Sequence, residues 1–384
     1  MAELGGYNQI FYANEALAAL QRALGMASRV YLGYDAERRA VNRGETIRIK
    51  VPSTFTAVAA PGAASTLRAG FVDVVVDQFW EVKYALTDKE LAFTGEQIMT
   101  DHIRPAAYAI ANKIDQTLAG LYAGVPWLYD YGTATDTTLI TGARGVLFDN
   151  ETPMDDDDIH MMVDGTIQTA FLNSTLFHSA QVAGAAAEGT LLRGTLGTRF
   201  GVEVFANQNT PTHVPGTGSA VGGDGALAVN NVGGYAAGVT SIAVDAGTGS
   251  QTLLVGDTFV IAGNTQRYVL SANTTLSTGA GTLTFTPPLA AAVADDAVVT
   301  FTLQTATAHS QQMMFHRNAF AYVSAPLPDN LPNVEVFTAV DPVTGLSLRA
   351  RRWADPDNSQ VFQCVDALWG VKVVNPNMAV RLWT

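Results

Sequence analysis

The residues best equipped for chemistry form an acidic run, Asp155, Asp156, Asp157 and Asp158, followed closely by His160. Carboxylates and an imidazole so near one another could offer oxygen and nitrogen ligands to a divalent cation. The run lacks the spaced oxygens and closing glutamate of a calcium loop, which leaves a solvated turn, or a helix start that welcomes carboxylates, as the plainer expectation. The six histidines, His102, His160, His178, His213, His309 and His316, show neither HExxH nor HxxH spacing. His316, between Phe315 and Arg317, is the one to watch, with a hydrogen-bonded structural role as the alternative. No GxSxG elbow is present for a serine nucleophile. A phosphate-binding P-loop needs GxxxxGK, and no lysine lies between Lys113 and Lys372. The glycines from Gly216 to Gly225 neither follow a clear strand nor open a helix, so they read as a linker. Cys364, the single cysteine, sits in an apolar run and reads as a buried inert thiol rather than a disulfide or zinc ligand. Catalytic residues, cofactor-binding residues and metal ligands are accordingly all expected to be none, and no feature points to an enzyme.

Composition narrows the partners. The 384 residues carry a formal charge of −13 and include 48% hydrophobic residues, enough for two or three well-buried cores. Only Lys50, Lys83, Lys89, Lys113 and Lys372 are lysines, so a nucleic-acid grip through clustered cations is disfavoured. No run approaches the ~18 apolar residues that span a bilayer, and the first residues lack a secretory pattern, from which a cytoplasm-like compartment is expected.

The elements that must position any site fall into an ordered series. Residues 14–31 read as an amphipathic helix, with Asn14 as N-cap and Leu17, Leu20, Leu24 and Ala27 on one face. Thr46 to Val51 and Phe71 to Tyr84 alternate as strands, making a long two-stranded arm that needs another surface to lie on. A short helix from Thr87, with Glu90 completing a capping box, precedes a long one over about 100–122. In the latter, Ile103, Ala107, Ile110, Ile114 and Leu118 form one stripe, and Pro105 falls in the first turn. Ala170 to Asn173 reads as a strand, Ser174 to Ala187 as a helix, Gly189 to Gly201 as a loop carrying Arg193 and Arg199, and Phe200 to Ala206 as a strand. Strands return over 312–323, 346–353 and 361–381.

Between these flanks, residues 215–305 have no Lys, His, Glu, Met, Trp or Cys and a single arginine, Arg267. Five short strands, near 241–245, 258–261, 267–270, 281–286 and 297–302, alternate there with Gly, Asn, Asp and Pro turns, the pattern of a small barrel or sandwich. The segment reads as a β-module inserted into a host domain.

Taken in order, the helix at Thr100 to Asp115, the block Leu191 to Phe205, Phe315 to Phe320, Val255 to Gly263 and Asp341 to Arg349 resemble segments of the major capsid protein of tailed bacteriophages. That is the HK97-like fold, and the likeness is greatest to short-tailed-phage coat proteins with an inserted domain. The resemblance implies an α+β architecture: an N-terminal arm and helix over 1–43, an extended loop over 44–92, a peripheral and axial core over 93–214 and 306–384 with a spine helix at 100–123, and an inserted β-domain over 215–305. It implies a structural subunit, not an enzyme, that self-assembles into pentamers and hexamers of an icosahedral shell around double-stranded DNA without sequence-specific binding. Scaffolding protein, portal and a decoration protein would be its partners, the virion its location and the host cytoplasm its place of assembly. The family supplies no catalytic residue to carry over, and its Lys–Asn crosslink maps to no pair here. An encapsulin-like compartment, a β-rich surface or adhesion protein, and a hydrolase built on Asp155 to Asp158 are the rival expectations.

Overall fold

The computed structural model describes residues 9–32, 46–51, 59–60, 70–87, 102–132, 138–179, 186–216, 227–247, 249–302, 308–341, 344–355 and 357–383. The chain divides into two compact units, one of residues 1–118 with 320–374 and one of residues 119–319 with 375–384.

In the first unit, helix Gln9–Ala23 packs on strands Glu335–Val340 and Ser347–Asp355. It buries Ala13, Ala16, Leu17 and Leu20, spaced three or four apart. Asn14 lies inside this helix instead of capping it, since no breaker stands between Gln9 and Ala23. The helix also ends earlier than the expected Tyr31. The Asp115 carboxylate accepts from the backbone N–H of Gly25 at 2.7 Å and of Ala27 at 3.1 Å, fixing a turn there. Helix Arg104–Ala119 buries Ala107, Ile110, Ala111, Ile114 and Leu118, the expected stripe, and continues as a 3-10 turn over Gly120–Gly124. The expected helix from Thr87 falls mostly outside the described residues; Thr87 itself closes a strand.

Strand Thr46–Val51 pairs antiparallel with Gly70–Val75, which confirms the first part of the arm. The long strand expected over 71–84 is instead broken at Val76 and Asp77, and Gln78–Thr87 pairs with Gln360–Val373. The reason is lateral competition: Gln360–Val373 offers a ten-residue ladder that a free hairpin arm would lack. The resulting sheet also holds Phe320–Ala325, Ser347–Asp355 and Glu335–Val340.

The second unit combines a six-stranded sheet with a closed barrel. In the sheet, Ala379–Trp383 lies between Leu128–Asp130 and Gln312–His316, and the latter pairs with Ile159–Val163. Helices Thr138–Asp149 and Gly165–Asn173 cover it through Leu139, Ile140, Ala143, Leu147, Ile167 and Phe171. Residues 170–173, expected as a strand, belong to the second of these helices. Asp164 caps it by accepting from Ile167 N–H at 2.9 Å, and Ile167 and Phe171 then meet one buried face four residues apart. The expected helix over 174–187 is a single turn, Thr175–His178, with residues 180–185 outside the description, and Ala186–Arg193 is helical where a loop was expected.

The barrel runs in the order Ser241–Asp245, Gly281–Thr286, Arg267–Leu270, Thr258–Ile261, Val298–Phe301 and Leu227–Val229, and the last strand returns to the first. Five of its strands match the expected ones within a residue; Leu227–Val229, too short to show alternation, closes the ring. Phe259 centres its core, with rings of Phe301, Phe285 and Tyr268 at 5.1, 5.4 and 5.6 Å. Gly279, at φ +80°, lets its backbone touch that of Gly247 where a Cβ would collide with the Gly247 carbonyl.

Candidate functional site: polar clusters and exposed apolar faces

The acidic run forms a bend before strand Ile159–Val163. The imidazole that meets it is His316, whose Nε2 donates to Asp156 at 2.8 Å while Nδ1 accepts from Asn318 N–H at 3.2 Å. Asp156 is held below the usual carboxylate range: its slight burial raises the pKa, but the His316 hydrogen bond and charge outweigh that. Ligand atoms of Asp156, Asp158 and His316 lie within 4.8 Å of one another. Both imidazole nitrogens are already engaged, and Arg317 stands 3.8 Å from Asp158, so the cluster's polar groups already have partners within the chain. His160 faces Glu203 on the neighbouring strand, with Nδ1 to Oε2 at 2.8 Å. Acids and histidine therefore meet, but through a residue far along the chain.

Cys364 is buried, and its thiol is pushed up to about 12, chiefly by burial. It sits beside an ion-pair network across three strands. Arg349 donates bidentately to Asp366 at 2.9 and 2.8 Å, Arg351 reaches Asp366 at 2.7 Å and Glu81 at 2.6 Å, and Asp366 is fully buried. Register explains the convergence, since Arg349, Asp366 and Glu81 face one another across the ladders. The two guanidiniums neutralise the buried carboxylate, and the neighbouring Cys364 thiol, its pKa raised, stays protonated at neutral pH.

A third cluster has no sequence signature. Tyr122, His213, Asp257 and Arg381 gather where the barrel meets the six-stranded sheet. Asp257 Oδ1 accepts from His213 Nε2 at 3.0 Å and Oδ2 from Leu254 N–H at 2.8 Å, while the Tyr122 hydroxyl lies 3.1 Å from His213 Nδ1. Arg381 donates to the Gly256 carbonyl at 2.9 Å, and burial pushes its guanidinium down to about 10, leaving it charged at neutral pH. The only clue available from sequence was one arginine in the apolar strand Ala379–Trp383. Of the remaining expected positions, His309 meets His213 edge-on and Trp383 at a tilt, with ring centroids at 5.6 and 6.0 Å. His102 lies near Tyr84, and Arg199 donates weakly to the Phe177 carbonyl. Gly216 donates to Asp257, and residues 217–226 lie outside the described residues.

The surfaces are less self-sufficient than the interior. Along the arm and its continuation, Phe71, Val75, Phe79 and Trp80 are exposed, the Trp80 ring carrying Lys113 Nζ at 4.1 Å. In the second unit, Phe148, Leu191, Leu192 and Phe200 are exposed, Leu192 by 75%. Large apolar side chains in such numbers mark contact surfaces. No helix among the described residues is long and apolar enough to cross a membrane.

No family model and no curated relative matches the chain. Solved structures do. A chain from Mycobacterium phage Che8 is similar over 94% of this chain and 90% of its own, at 15% identity and a TM-score of 0.51. Fainter likenesses are the mature capsid of bacteriophage PhiM1, with 11% identity, 89% and 82% coverage and a TM-score of 0.44, and the capsid of cyanophage P-SCSP1u, with 12%, 89%, 84% and 0.41. The chain therefore shares an α+β fold with the chain of phage Che8.

Proposed function

We propose that this chain is the major capsid protein of a tailed bacteriophage, a structural subunit that self-assembles into pentamers and hexamers of an icosahedral shell around double-stranded DNA. The observation that carries the proposal is the set of exposed aromatic rings, Phe71 on the arm and Phe79 and Trp80 on the strand that follows it, which a lone chain leaves partly in water and a neighbouring copy would cover. Many modest contacts of that kind, repeated around a closed shell, add up through multivalency. The charge of −13 suits a container from which DNA must slide free. Residues 44–92 act as the extended loop in this scheme, and residues 215–305 as an inserted barrel. Support for the insert is the neck, where Thr212–His213 pairs with His309–Ser310, so the chain leaves and re-enters side by side.

Electron microscopy of the protein expressed with its neighbouring gene products tests the proposal. Closed shells containing DNA are expected; only monomers or fibres under every assembly condition would overturn it, and shells filled with an enzyme would indicate a cellular compartment. Phe79→Ser with Trp80→Ser should abolish shells while costing only about 1–2 kcal/mol per site, since each ring is half-buried and Trp80 carries Lys113, so the chain should remain folded by circular dichroism. Replacing residues 216–305 by a short glycine linker, with Arg381→Leu to spare that arginine its lost partner, should leave a folded remainder.

A further inference from the structure

The cluster at the barrel–sheet junction carries a surplus of positive charge. Arg381 is 2% exposed, and the one hydrogen bond of its side chain among the described residues is to the Gly256 carbonyl. Its Nε and Nη1, and the indole Nε1 of Trp383, are buried without a partner among those residues. Asp257, the nearby carboxylate, is already committed: His213 and the N–H groups of Leu254 and Gly216 occupy both its oxygens. A carboxylate can only accept, so His213 donates to it through Nε2, while its Nδ1 is engaged by the Tyr122 hydroxyl at 3.1 Å. A second guanidinium, Arg267, donates to Thr302 at 3.1 Å and lowers the basicity of Arg381 through its charge. Two arginines thus confront one saturated carboxylate.

Arg381 and Trp383 line a cavity of about 20 Å³ together with Asp257, Thr258, Thr302 and Gln311, the Asp257 oxygens being held by the donors already named. That volume has room for about one water-sized particle. Buried N–H donors are almost always satisfied, by protein, water or an ion. A water would satisfy the donors but leave two guanidiniums against the single Asp257 carboxylate, whereas a monovalent anion supplies the second negative charge as well. Gln311 suits the same occupant once its amide is oriented N–H inward, an assignment that the hydrogen-bond network decides.

We propose that this cavity binds a single halide ion, chloride in the cell, held by Nε and Nη1 of Arg381 and the indole N–H of Trp383. The ion would tie the strand Ala379–Trp383 to the barrel residues Gly256 and Thr258, making attachment of the barrel dependent on halide.

Bromide is the probe. Crystals of the full chain grown in sodium bromide should give one anomalous bromine peak within hydrogen-bond distance of Arg381. Thermal unfolding at constant ionic strength, with sodium chloride replacing sodium gluconate, should show Tm rising by roughly 2 °C per tenfold chloride once binding saturates. Trp383→Phe should move that rise to higher chloride, and Arg381→Met should remove it. Water density in place of a bromine peak, or a chloride response unchanged in Trp383→Phe, would overturn the proposal even if Arg381→Met does not fold.

Discussion

Replacing Asp366 by Asn removes one charge and almost no volume, so it isolates the electrostatic role of the strand network. Asp366 is fully buried and receives two bonds from Arg349, itself 5% exposed, and one contact from Arg351 at 2.7 Å. Arg351 keeps Glu81 at 2.6 Å, whereas Arg349 keeps only the Pro328 carbonyl at 3.0 Å. The cost falls mainly on Arg349, left as a buried cation without a counter-charge, and is expected to be about 3–5 kcal/mol. Against a total stability of roughly 5–15 kcal/mol that is a large fraction. Urea unfolding followed by fluorescence of Trp369, buried on the same strand as Asp366, measures it. With a slope of roughly 2 kcal/mol/M the midpoint should fall by about 2 M with the slope unchanged. The double variant Arg349→Met with Asp366→Leu should recover most of the loss, because a well-packed apolar pair of similar volume often matches a buried ion pair. A loss under about 1 kcal/mol for Asp366→Asn, or a double variant as unstable as the single, would refute the reasoning.

Three further outcomes are expected. Ile110→Ala, on the buried stripe of helix Arg104–Ala119, should cost about 2–5 kcal/mol in the same urea assay, and a neutral result would contradict the helix packing. Phe259→Ala at the centre of the barrel should cost about 3–5 kcal/mol and release ring-shifted methyl resonances of the barrel core, leaving signals of the other unit in place. Cys364 should react with maleimide at pH 8 about a thousandfold more slowly in the native chain than in urea, as a thiol raised from 9.0 to about 12 keeps its proton. The sign for stability follows: the folded state holds that proton more tightly, so the contribution is complete below pH 9 and is lost as pH rises toward 12.

Much of the architecture was legible where the hydrophobic period was strong. Thr46–Val51, Ser241–Asp245, Thr258–Ile261 and Gly281–Thr286 show alternation bounded by turn residues, and the stripe from Ile103 to Leu118 shows the helical spacing. What failed was local ambiguity. Ala170 to Asn173 is apolar enough for a strand, and only the cap from Asp164 decides for a helix. The run from Phe71 to Tyr84 gives no local sign of its break, which is imposed by a partner nearly 300 residues away. The polar clusters were hidden for the same reason: His316 meets Asp156 across 160 residues, and Arg381 meets Gly256 across 125, separations that no motif spacing encodes.

The closure of the barrel limits how it can take part in assembly. Each of its six strands has a neighbour on both sides, so the ring exposes no free row of backbone donors and acceptors to a second molecule. Recognition by the barrel must therefore be written in loops and outward side chains, such as the nearly fully exposed Val232 in the turn after Leu227–Val229. Those positions can change one at a time without disturbing the hydrogen-bonded wall behind them, so the barrel can acquire a new neighbour while keeping its fold.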